Sequence, residues 1–199
     1  MRNTSVTRLQ IALTGFQGSP RFVSMRIAGN VTCSVCLFLL SASCADAQQG
    51  KRSQLASVTQ LVGPAKIEII YRRPVARGRE LFGKLVPYGR VWTPSADSAA
   101  LFTTSTDLEV NGSRLKAGRY ALWMVPDSAN WTWVFSKAQP VFHLNHPEAS
   151  DEVLRVKASL QQAEHMETLG FYFPMVDADS AVLNMHWGRT VVPLRIKAR

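Results

Sequence analysis

Two stretches of this sequence set carboxylates beside hydroxyls: Asp97-Ser98 and Asp177-x-Asp179-Ser180. Paired carboxylates run hydrolysis when their surroundings push their pKa values apart. A hydrolase built on Asp97 and Ser98 would also need a histidine brought close by the fold, and His186 is the first choice. The same dipeptides are ordinary turn sequences, because Asp and Ser side chains bond the nearby backbone. No G-x-S-x-G, H-E-x-x-H or Gly-rich phosphate loop occurs. Catalysis is therefore the secondary reading.

Metal chemistry has one candidate. His143-Leu144-Asn145-His146 with Glu148 offers three donor side chains within six residues. A zinc site needs such donors to converge at about 2.0–2.1 Å from rigid positions. This run lies between Pro140 and Pro147, in a loop whose spacing does not impose convergence. Solvated surface histidines are the simpler reading, and no cofactor is expected. His165, beside Glu164 and Glu167, and His186 read as structural.

Binding chemistry is better represented. Basic residues concentrate in one segment, Lys66, Arg72, Arg73, Arg77, Arg79, Lys84 and Arg90, in a chain of net charge +9. The excess persists when residues 1–47 are left out. Arginine matches carboxylate and phosphate with two parallel hydrogen bonds, so Arg73, Arg79 and Arg90 are candidate anion contacts. Tyr88 and Trp92 stand in the same segment, and such rings offer rigid amphipathic surface to a ligand. Of the five tryptophans, Trp123 and Trp133 occupy core positions, whereas Trp92 and Trp131 stand at turn edges and suit binding better. A solvated basic edge is the plainer alternative. Nucleic acid is a poor partner for an exported chain with no recognised binding motif.

Export is read from the N-terminal segment. VTCSVCLFLLSAS at 31–43 is an apolar, charge-free run that follows Arg26 and precedes Ala45-Asp46-Ala47, the layout of a secretory signal peptide. It is shorter than the ~20 apolar residues of a membrane span, so no transmembrane helix is expected in the mature chain. Cleavage after Ala47 is preferred over lipidation of Cys44 in the loosely lipoprotein-like Ser41-Ala42-Ser43-Cys44. A complete signal begins at Met25, the suspected true start. The expected product is periplasmic or extracellular. Cys33, Cys36 and Cys44 all fall in this region, leaving residues 48–199 without a disulfide framework.

These residues must be positioned by strands. Ile67, Ile69 and Tyr71 alternate with polar neighbours, the period of a half-buried strand. Asn111-Gly112 is a two-residue hairpin signal, since both turn positions want positive φ. Arg119 to Val125 is apolar on both faces and reads as a central strand covered on two sides. Trp131 to Phe135, Leu154 to Leu160, Leu169 to Phe173, Ala181 to Trp187 and Val191 to Ile196 complete the set, with Pro193 pointing to an edge or bulge. The spacing predicts an all-β fold over 48–199, an antiparallel β-sandwich or flattened barrel of about eight to ten strands. Helix is expected only in short turns, at Arg79 to Gly83 or Pro147 to Val153.

Several of these runs carry a family resemblance. Tyr-x-Arg-Pro at 71–74, Gly-Arg at 78–79, Leu-Val-Pro-Tyr-Gly at 85–89 and Val-Trp at 91–92, with the strands that follow, resemble the bacterial domain of unknown function 2911 over nearly all of residues 53–197. The resemblance implies an exported, single-domain, largely β protein, often with a signal peptide or lipoprotein anchor, and assigns no activity. Many members continue Val-Trp with Arg-Thr-Gly-Ala-Asn-Glu-Ala, whereas this chain has Thr93-Pro94-Ser95-Ala96-Asp97-Ser98-Ala99. The leading expectation is a non-catalytic module that binds a small molecule, glycan or envelope component around Tyr88–Ser98. A hydrolase using Asp97, or a structural protein of the envelope, are the alternatives. The sequence does not fix the oligomeric state.

Overall fold

The computed structural model describes residues 53–137 and 145–199. The expected export signal, the suspected start at Met25, Cys44 and His143 lie outside the described residues. Among the described residues ten strands follow in chain order: β1 (Gln54–Val62), β2 (Ala65–Arg73), β3 (Ala100–Thr104), β4 (Leu108–Val110), β5 (Ser113–Leu115), β6 (Gly118–Val125), β7 (Asn130–Lys137), β8 (Glu152–Ser159), β9 (Gln161–Val176) and β10 (Ser180–Ala198). They form two antiparallel sheets, β1-β2-β3-β6-β7-β8 and β5-β4-β10-β9, so the fold is a sandwich and not a closed barrel. Among the described residues the only helical element within a predicted range is a 3-10 turn at Ala149–Asp151. The run Arg79 to Gly83 is not helical: it holds turn residues and a bridge from Phe82 to Val86, with Gly83 at φ 88°.

Patterning explains the sheets. β2 alternates buried and half-exposed positions, with Ile67, Ile69 and Tyr71 inward. β6 lies between β3 and β7 and is buried on both faces. Tyr120, Leu122 and Met124 join the main core, while Ala121 and Trp123 pack with Ala99 and Val134 on the other side. Asn111 and Gly112 take φ of 44° and 85° in the β4–β5 turn, as the hairpin signal requires.

Where two strands are expected over 181–196, there is one. β10 runs unbroken through Gly188, which absorbs a kink at φ 58°, and its ladder with β9 shifts register on both sides of that residue. Pro193 lies between the last β9 partner, Val191, and the first β4 partner, Ile196. There its missing N–H costs no ladder bond.

Candidate functional site

The Tyr-x-Arg-Pro motif turns out to finish a sheet edge. Past Arg73 the chain runs along the free side of β9: Leu169 N–H donates to the Pro74 carbonyl (2.9 Å) and Ala76 N–H donates to the Glu167 carbonyl (2.8 Å). Two side chains satisfy what this short segment leaves over. The buried Tyr71 hydroxyl accepts from Phe171 N–H at 3.0 Å. The Arg73 guanidinium donates to the carbonyls of Leu169 (2.9 Å) and Thr168 (3.4 Å). Arg73 thus holds backbone. Arg79 likewise braces its own turn, donating to the carbonyls of Ala76 (2.9 Å) and Val75 (2.7 Å).

The segment Leu85 to Trp92 is a corner laid back on the sandwich. Val86 is buried and donates to the Leu81 carbonyl, and Gly89 donates to that of Pro126. Trp92 exchanges both backbone hydrogen bonds with Met124 (2.8 and 2.7 Å), taking up the β6 edge beyond the point where β3 stops at Ala100. Gly83 is required by contact: a Cβ there would come within 2.9 Å of the Tyr88 ring. Arg90 is exposed beside this corner.

Thr93 to Ala99 is pinned by its hydroxyls. Buried Thr93 donates to the Leu122 carbonyl (2.9 Å) and accepts from Ala100 N–H (3.1 Å). Ser95 accepts from Arg72 N–H (2.9 Å). Asp97, at φ 64°, sits 3.8 Å from Arg72, and Ser98 is exposed. His186 is engaged elsewhere. Its Nε2 lies 3.1 and 3.0 Å from the carbonyls of Glu164 and Gly188, and its Nδ1 lies 3.4 Å from the Tyr172 hydroxyl. Carbonyls only accept, so Nε2 carries the proton. No hydrogen bond joins Asp97 or Ser98 to His186.

Trp131, read from sequence as a turn-edge binding candidate, is fully buried. It belongs to an aromatic cluster in which Phe82 meets it edge-on at 4.6 Å and Trp92 stacks on Trp187 at 6.1 Å and 7°. Trp92 is half-buried in the same cluster.

Over the outer side of this cluster lies a shallow cleft of about 290 Å³. Arg79, Tyr88, His165 and Arg189 rim it, with Phe82 and Trp187 behind. His165 pairs with Glu167 at 3.0 Å. That hydrogen bond, then the Arg77 amide on the same carboxylate (2.6 Å), hold Glu167 below the usual glutamate range. The Arg189 side chain is exposed and has no hydrogen-bond or ion-pair partner among the described residues. The cleft thus brings together Arg79 and Tyr88 of the predicted residues, leaves out Arg73, Arg90 and Trp92, and adds His165 and Arg189. Gly188, which places Arg189 on the rim, carries no signal separable from a strand break.

A larger groove of about 780 Å³ lies between β8 and the two ends of β10. No aromatic side chain lines it, and much of its polar wall is engaged. Glu109 pairs with Arg199, Lys197 with Asp179, and the Asn111 amide with backbone on both β8 and β10. As for the metal candidate, the His146 ring lies against Trp123 at 5.7 Å. Glu148 accepts from Asp151 N–H through its backbone carbonyl. No three metal-capable side chains cluster among the described residues. No helix among them is long and apolar enough to cross a membrane.

The family model described as "Protein of unknown function (DUF2911)" matches residues 53–196. Neither the curated proteins nor the solved structures yield a match.

Proposed function

We propose that this chain, which belongs to the DUF2911 family of proteins of unknown function, is an exported, non-catalytic binding module for a small acidic ligand such as an acidic sugar. One observation carries the reading: the unpaired Arg189 guanidinium stands beside Tyr88, His165 and Arg79 on the rim of an aromatic-backed cleft. A guanidinium fork binds carboxylate or phosphate bidentately, and Tyr88 offers a face for the apolar side of a sugar ring. The hydrolase alternative has no comparable support, since Asp97 pairs with Arg72 and His186 with backbone.

Calorimetric titration with uronic acids and sugar phosphates tests the site. Binding should weaken by roughly 10- to 100-fold in Arg189→Ala, the loss of one charge-assisted contact, and also fall in Tyr88→Ala. Arg90→Ala, outside the cleft, should bind as the wild type does. A panel without a binder, or a binder indifferent to both cleft variants, rejects the placement.

A further inference from the structure

We infer that β1 is a self-association edge, and that two copies of this chain pair antiparallel through it about a two-fold axis at Val58. The first observation is a contrast between edges. The other described sheet edges are each guarded in a familiar way. β8 carries Glu152, Arg155 and Lys157, β5 is three residues long, and the centre of β9 is covered by residues 74–76 and Arg73. β1 has none of these devices. It is nine residues long, QLASVTQLV, with no charge and no proline. Its ladder to β2 runs without a bulge from Gln54↔Arg73 to Val62↔Ala65, and among the described residues no strand lies beyond it.

The second observation is which backbone groups face out. Gly63 and Pro64 form a two-residue turn closed by Val62 and Ala65, with Gly63 at φ 52°. In such a hairpin the closing pair exchanges both hydrogen bonds, and every second residue from it does the same. Ala56, Val58, Gln60 and Val62 therefore turn their N–H and C=O toward β2. Leu55, Ser57, Thr59 and Leu61 turn theirs outward. The Gln60 side-chain amide donates to the Leu61 carbonyl at 2.9 Å, as expected of a carbonyl with no strand partner.

The third observation selects the occupant. The outward residues read Leu-Ser-Thr-Leu, the same small-polar centre and leucine ends from either direction. Leu55 and Leu61 are each 64% exposed. With the axis at Val58, Leu55 of one copy opposes Leu61 of the other and Ser57 opposes Thr59. All four outward residues then fall in hydrogen-bonded pairs, and both leucine pairs lie on one face. A two-fold interface needs just this self-complementarity, which an unrelated strand would lack. One strand pair buries little area, below the ~1,200 Å² of stable complexes. The dimer should therefore be weak, with a Kd on the order of micromolar or above. No cleft residue takes part, so this inference stands or falls apart from the proposed binding site.

The test is sedimentation velocity on the exported, purified protein from low micromolar to millimolar concentration. A concentration-dependent monomer–dimer equilibrium is expected. Thr59→Pro removes an outward N–H that each copy donates once to the Ser57 carbonyl of the other, two bonds in all, and leaves the β2 ladder intact, so dimerisation should weaken by roughly 30-fold or more. Circular dichroism should stay native. Should that variant fail to fold, a surface charge swap gives the answer. Leu55→Lys/Leu61→Lys and Leu55→Glu/Leu61→Glu should each be monomeric alone and should dimerise when mixed, because the register sets position 55 against position 61. A wild type that stays monomeric throughout, or a dimer that survives Thr59→Pro or both charge sets, overturns the inference.

Discussion

Replacing Tyr71 by Phe isolates one hydrogen bond at the point where the two sheets are tied. The Tyr71 ring meets Phe171 edge-on at 4.8 Å and is 5% exposed, and phenylalanine keeps that contact and nearly the same volume. The loss is confined to the hydroxyl that accepts from the Phe171 amide at 3.0 Å. Phe171 is itself buried, so water does not replace the lost acceptor. Leaving a buried donor unmet costs about 1–3 kcal/mol, which for a domain of this size lowers Tm by roughly 2–10 °C. Urea denaturation should show that loss at an unchanged m-value, and the Phe171 amide should exchange faster in native-state hydrogen exchange. Arg73→Met attacks the neighbouring carbonyls of Leu169 and Thr168, and the two changes should be non-additive because they loosen one edge. A Tyr71→Phe protein within about 0.5 kcal/mol of wild type, with Phe171 still protected, would refute the assignment of this hydroxyl to the β9 edge.

Thr93→Val should cost about 1–3 kcal/mol in denaturant titration, because two buried backbone groups lose the Thr93 hydroxyl, whereas Ser98→Ala on the exposed end of that loop should stay within about 0.5 kcal/mol. Gly188→Ala should destabilise by roughly 1–2 kcal/mol through its positive φ, and Gly188→Asn should recover part of that, since Asn tolerates the conformation. Glu167 has its pKa depressed by His165 and the Arg77 amide, so its contribution is complete above the unfolded value of about 4.3 and vanishes as pH falls through the lower folded one. The stability gap between wild type and Glu167→Gln should therefore be present at pH 7 and shrink below about pH 4, and a gap constant across that range would discard the linkage. Asp107, also held low, titrates in the same window in both proteins and cancels in the comparison.

Strand positions were legible wherever one face is buried and the other wet, as in β2, because alternation then leaves a direct trace in the residues. β6 was legible for the opposite reason: apolar residues on both faces require two covers, and the molecule supplies them with the second sheet and with Ala99 and its neighbours. β10 read as two strands because Gly188 and Pro193 look locally like breaks. Only the partners on either side show that the chain passes through both. Trp131 read as a rim residue from its place after a turn, yet Phe82, 49 positions earlier, closes over it. Arg73 reads as an anion contact from its basic neighbours, since its carbonyl partners lie 95 and 96 residues downstream, a separation no local pattern encodes. Of the five expected contact residues, two lie on the cleft rim. Tyr88 and Arg79 are set by their own turn, whereas His165 and Arg189 arrive from β9 and β10.

The pairing of β4 with β10 joins Leu108–Val110 to Ile196–Ala198, and it orders the events of folding. β1 to β3 and β6 to β8 can zip up largely between chain neighbours, so the first sheet is able to form while later residues are still arriving. β4 and β5 have no such option. Among the described residues β5 pairs only with β4, and β4 otherwise only with β10, so Leu108, Val110 and Leu115, fully buried in the finished molecule, must wait uncovered until residues 180–198 are at hand. Closing a loop of this span is slow compared with local pairing. A chain halted before β10 would present a half-built sandwich with its apolar inner face bare, a natural substrate for a holding chaperone.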